Sequence, residues 1–89
     1  MASPIREEIQ AINPEAVLFD DLDDAIVGMV MRHTQAPVVL YDPERCVEIL
    51  CAQGSGDRDE AQEYFDFNVA CLWAGPHTPA FLQRLEESA

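Results

Sequence analysis

Two apolar runs, AIVGMVMR at 25–32 and VVLY at 38–41, are separated by only HTQAP and followed at once by Asp42-Pro43. In the first run both alternating faces, Ile26/Gly28/Val30 and Val27/Met29/Met31, are apolar, which predicts a strand covered on both sides. VVLY predicts a second such strand. A hairpin is the economical link, although HTQAP lacks the usual glycine-containing turn pair. Asp42 then suits a helix N-cap and Pro43 the first helical position. On the helix that follows, Cys46, Val47 and Leu50 share one side, while Glu44, Arg45, Glu48 and Ala52 lie opposite. Strand, strand, helix in immediate succession commits the chain to mixing a sheet with helices that cover it.

The remaining elements fit around that unit. Residues 3–12 predict a short N-terminal helix, with Ser3 as cap, Pro4 at the first position and Glu7 and Glu8 in the opening turns. Asn13-Pro14 ends it, because a residue before proline disfavours helical geometry. AVLF at 16–19 reads as a short edge strand. After QGSGDR breaks the chain, Asp57 with Glu60 three residues on starts a further helix in the manner of a capping box. That helix, DEAQEYFDFNVACLWAG at 59–75, changes from acidic to apolar along its length. At about 100° per residue, Ala61, Tyr64, Phe65, Asn68, Val69, Cys71 and Leu72 form a broad core-facing stripe. Gly75-Pro76 terminates it. The tail from 76 to 89 reads either as a helix capped by Thr78 or as a short strand, TPAFL, with a frayed end. The expected architecture is one α+β domain spanning 1–89: an N-terminal helix or arm over 1–14, a small antiparallel sheet of two or three strands, and two main helices on one face.

Charge narrows the function classes more than any motif does. Seventeen acidic residues face five arginines, lysine is absent, and the net charge is −12. Such a surface repels nucleic-acid phosphates and anionic membranes, so no direct nucleic-acid or membrane partner is expected. It favours basic surfaces instead. No apolar run approaches the length of a membrane span, and the N-terminus lacks a signal-peptide pattern, so the chain is expected in the cytoplasm. Cys46, Cys51 and Cys71 cannot all pair within one chain and form no Cys-x-x-Cys motif, so reduced thiols packed as small apolar residues are expected. Combined with His33 and His77 they match no recurrent zinc spacing.

FDDLDDAIVG, VVLYDPERCVEIL and DEAQEYFDFNVACLWAGPHTPAFL together resemble a family of small proteins common in phages, prophages and bacterial mobile elements. The resemblance runs from about Ala16 to Leu82. Its marks are Phe-Asp-Asp before the first long strand, Tyr-Asp before the first major helix, Glu-Tyr-Phe-x-Phe-Asn in the second, and Thr-Pro near the end. The family pattern is more acidic after the terminal glycine, where this chain has Pro76 and His77. What the resemblance implies is a context, a phage-type accessory protein in the host bacterial cytoplasm, and no catalytic residues. Small acidic proteins of that setting include inhibitors of host defence, such as anti-CRISPR proteins, some of which occupy nucleic-acid-binding surfaces.

Three sets of residues bear on function. Asp20, Asp21, Asp23 and Asp24 supply several hard oxygens within five residues, which suits a divalent metal, yet they lack the glycine and terminal glutamate of an EF-hand loop. Aspartate is also a good turn residue, so the four equally serve to separate two strands. Asp59, Glu63 and Asp66 recur at four- and three-residue spacing on one helical face, where each like-charge pair costs about 0.2–0.5 kcal/mol. Phe67 and Trp73 flank that row, and aromatic residues are typical interface anchors. Asn68, polar within an apolar stripe, is expected to hydrogen-bond a backbone group. No phosphate-cradling loop, nucleophile–histidine pairing or cofactor fingerprint occurs; GSG at 54–56 reads as an interhelical turn. The expectation is a non-enzymatic protein without a cofactor, binding a basic surface of a host protein, such as a nucleic-acid-binding complex, through Asp20, Asp21, Asp23, Asp24, Asp59, Glu63, Asp66, Phe67 and Trp73. The alternatives are a metal-binding protein or small metal-dependent enzyme built on Asp20–Asp24, and a homodimeric structural component that uses an apolar sheet face.

Overall fold

The two apolar runs do form a hairpin. In the computed structural model, which describes residues 4–54, 56–72 and 75–85, β1 (Ile26–Val30) pairs antiparallel with β2 (Val38–Tyr41). Partners run from Gly28 opposite Leu40 to Val30 opposite Val38, and the register slips by one residue between Ile26 and Gly28. Such a bulge lets a strand bend and twist more strongly. Of the two readings of the tail, the strand holds: β3 (Ala80–Phe81) lies beside β2. It runs parallel to β2, so the sheet is mixed, in the order β1-β2-β3. The reason is connectivity, since the chain leaves β2, forms two helices and returns on a crossover, which sets a strand parallel to its neighbour.

Three helices complete an α+β domain: α1 (Pro4–Ile12), α2 (Pro43–Ala52) and α3 (Arg58–Phe65). Local chemistry starts the last two as the sequence indicates. The Asp42 side chain accepts from the Glu44 amide at 3.1 Å with Pro43 at the first turn, and Asp57 accepts from the Glu60 amide at 2.9 Å. Gly54 and Gly56, both with φ near +90 to +100°, make the turn between them, a backbone region that side-chain-bearing residues rarely enter. The expected cap of α1, Ser3, lies outside the described residues. No helix among the described residues is long and apolar enough to cross a membrane.

The core gathers Ile9 of α1, Val39 and Tyr41 of β2, Cys46, Val47 and Leu50 of α2, and Ala61, Phe65 and Val69 from α3 onward. Four aromatic rings knit it together: Phe81 of β3 meets Phe65 edge-on at 5.3 Å, and Phe19 stands 5.1 Å from Tyr41 and 6.1 Å from Phe81. Such pairs add about 0.5–1.5 kcal/mol each beyond their burial.

Three sequence expectations fail here. AVLF at 16–19 is not a strand; it is an irregular strap whose backbone groups find partners outside any ladder. The Val17 amide donates to the His77 carbonyl at 3.3 Å, the Phe19 amide to the Tyr41 hydroxyl at 2.9 Å, and Arg6 to the Phe19 carbonyl at 3.1 Å. β1 is not covered on both sides, because Val27 is 52% exposed and Met31, just beyond it, 68%. The broad stripe on the last helix is also narrower than its periodicity suggests. Only Ala61, Phe65 and Val69 are buried, four residues apart, while Tyr64, Asn68, Cys71 and Leu72 are exposed. After Phe65 the α-helix gives way to a π-helical turn, Asp66–Ala70, in which hydrogen bonds reach one residue further. A sheet whose third strand has two residues is too small to cover the rest of that face.

Candidate functional site

The acidic turn is built on a charge pair. Asp20 and Asp21 make the turn, with Asp21 at φ 63°, and Asp23 and Asp24 open a 3₁₀ turn, Asp23–Ala25, whose Leu22 and Ala25 are buried. Aspartate tolerates the left-handed region better than most residues, which is a local reason for its use at 21. Arg6 of α1 reaches into the cluster. Its Nε donates to Asp23 Oδ2 at 2.8 Å and its Nη2 to Asp23 Oδ1 at 2.9 Å, a bidentate fork. The Asp23 hydrogen bond raises the guanidinium pKa against the opposing effect of burial, so the arginine stays charged.

Arg6 and the four aspartates line an open depression of about 530 Å³. A guanidinium at its centre competes with any cation. Among the described residues no group of three or more His, Cys, Asp or Glu side chains converges on a point where a metal ion fits. Asp20, Asp21 and Asp24 are exposed, and only Asp23 is drawn in.

The second cluster lies on α3 and its continuation. Asp59, Glu63 and Asp66 are all exposed on one side, opposite Ala61, Phe65 and Val69. Asp66 accepts a hydrogen bond from Gln62 Nε2 at 3.0 Å, which is neutral help for a like-charged row. Phe67 beside them is 77% exposed, a large cost in apolar surface left in water. Trp73 lies outside the described residues.

The arginines decide how negative these clusters remain. Arg6 pairs with Asp23, Arg45 with Glu48 at 3.1 Å and Arg84 with Asp42 at 3.2 Å. Arg32 donates to the Ala36 carbonyl at 3.0 Å. Among the described residues, therefore, Asp20, Asp21, Asp24, Asp59, Glu63 and Asp66 form no salt bridge with an arginine, although Asp20 stands close enough to Arg6 to help keep it charged.

The three thiols differ in access. Cys46 is fully buried, and burial, helped by the nearby Asp42 charge, pushes its thiol up to about 12, so no thiolate forms near neutrality. Cys51 is partly buried and lies 3.6 Å from the Gly56 carbonyl. Cys71, expected to face the core, is exposed instead.

The buried amide of this protein is Asn13, not Asn68. Asn68 is exposed and merely donates back to the Tyr64 carbonyl at 3.1 Å. Asn13 is 7% exposed; its Nδ2 donates to the Pro37 carbonyl at 2.8 Å and lies 3.0 Å from His77 Nδ1, and its Oδ1 accepts from the Glu15 amide. His77 Nε2 in turn stands 3.1 Å from Glu15. With Nδ1 accepting from Asn13, the ring proton sits on Nε2, facing Glu15. This clamp fastens the end of α1 to the hairpin loop and to the segment before β3. Its only sequence signal was an Asn-Pro pair, which marks a helix end and says nothing of distant partners.

No protein-family model, no curated protein and no solved structure matches this chain.

Proposed function

We propose that this protein is a non-enzymatic accessory protein that binds a basic surface on another protein, acting as a nucleic-acid mimic. The observation that carries the reading is the disposition of charge. Three arginines pair with Asp23, Glu48 and Asp42, while six exposed carboxylates of the two candidate clusters have no such partner among the described residues. Like charges held on one helical face work against folding, a cost that a complementary basic partner would offset. Phe67, exposed beside Asp66, offers the desolvating contact that rim charges alone do not provide. The motif resemblance to phage-type proteins supplies the setting, and a host complex with a nucleic-acid-binding groove has the required chemistry. The metal-site alternative loses weight because Arg6 already occupies the aspartate cluster.

The test is capture of partners from a bacterial lysate at low and high salt, using the wild-type chain beside Glu63→Lys/Asp66→Lys. Capture should fall as salt screens the charges. The reversed variant should lose it while keeping the wild-type circular dichroism spectrum. Capture that is indifferent to both salt and charge reversal would rule the reading out.

A further inference from the structure

We infer that two copies of this chain pair through the free edge of β1, forming a two-fold dimer. β1 is the outer strand of the sheet and its sequence, IVGMV, contains neither charge nor proline. Exposed edges in monomeric proteins are usually blunted by charge, proline or a bulge, because a free edge templates pairing with another strand. β1 carries the bulge between Ile26 and Gly28 but no charge or proline, and Gly28, Met29 and Val30 keep a regular register. Beside it runs a groove of about 370 Å³ between α1 and β1, lined mainly by apolar side chains such as Ile5, Ile9, Ile12, Val27 and Met31, with Glu8 as the charged residue of its lining. Ile12, Val27 and Met31 are 49%, 52% and 68% exposed, so apolar side chains stand open to solvent along both the groove and the strand.

The charges at the two ends of the strand identify the occupant. Asp24 lies just before β1 and Arg32 just after it. In an antiparallel pair related by a two-fold axis near Gly28, the middle residue of β1, the Asp24 end of each copy lies alongside the Arg32 end of the other. Two symmetry-related pairs of opposite charge result, as an isologous interface requires. Asp24 has no arginine partner within its own chain among the described residues, and Arg32 bonds only its own loop carbonyl at Ala36. Elsewhere a surface of net charge −12 repels a second copy, whereas here apolar side chains predominate, Glu8 apart, and the strand ends carry compensating charges. The inference is independent of the acidic face on α3, which remains outward.

Sedimentation of the purified chain over a micromolar concentration series should show a monomer–dimer equilibrium without any added partner. Val27→Lys, at an exposed position, should leave the fold intact and give a monomer. Arg32→Asp should weaken dimerisation roughly tenfold, as two pairs turn from attraction to repulsion, and Asp24→Arg/Arg32→Asp should restore it. A monomer at every concentration overturns the inference. So does a dimer indifferent to Val27→Lys, or one whose loss in Arg32→Asp is not recovered by the charge swap.

Discussion

Arg6→Met removes the cation that ties the acidic turn to α1, and its cost can be worked from the geometry. Three hydrogen bonds disappear, two to Asp23 at 2.8 and 2.9 Å and one to the Phe19 carbonyl at 3.1 Å. A wholly exposed ion pair contributes about 0.2–1 kcal/mol, and breaking a buried one costs about 3–5 kcal/mol. The two side chains here are 31% and 25% exposed, which places the loss between those limits, at about 1.5 kcal/mol. Methionine keeps the apolar stem of the arginine, so packing changes little. For a domain of this size the loss corresponds to a Tm lower by roughly 6–12 °C in thermal unfolding followed by circular dichroism. Asp23→Asn alone should cost less, since the amide still accepts from the arginine. The double variant should reveal a coupling of about 1 kcal/mol. A Tm within about 2 °C of wild type, or a coupling below about 0.3 kcal/mol, would refute the view that this fork anchors the turn.

Other consequences separate the two asparagines, the three thiols and one cap. Asn13→Ala should destabilise by about 1–3 kcal/mol, because it strands the partly buried Pro37 carbonyl and a histidine nitrogen, whereas Asn68→Ala should stay within about 0.5 kcal/mol in urea unfolding. Under native conditions iodoacetamide should modify Cys71 first and leave Cys46 untouched until the chain unfolds, as peptide mass spectrometry would show. At Asp42, burial raises the carboxyl pKa, but hydrogen bonds from Arg84 and from the Arg45 and Glu44 amides outweigh it and hold it below its ordinary 3.8. Its contribution to stability is then whole above pH 3.8 and is lost as pH falls through the lower folded value, so Asp42→Asn should flatten that part of the acid-unfolding profile.

The parts of this protein legible in its sequence are those set by neighbours along the chain. Capping depends on residues two or three apart, so Asp42-Pro43 and Asp57 with Glu60 announced α2 and α3, and the apolar runs announced the hairpin. Exposure of Asp59, Glu63 and Asp66 followed from helical spacing, whereas spacing left open whether Phe67 is covered by another element. What spacing does not convey is how much covering material exists. The stripe from Ala61 to Leu72 narrowed because the sheet that should have covered it ends in a two-residue strand, and the helix changes its hydrogen-bond step at Asp66. β1 was misjudged for the same reason, since an apolar face shows a wish to be buried and not the presence of a neighbour.

Partners distant in sequence were invisible. Asn13 meets Pro37 and His77, and Arg6 meets Asp23, only when the chain is folded. The excess of acid was determined by composition before any folding took place. Which carboxylates are neutralised was decided by where five arginines came to rest, because Coulombic pairing depends on distance through space.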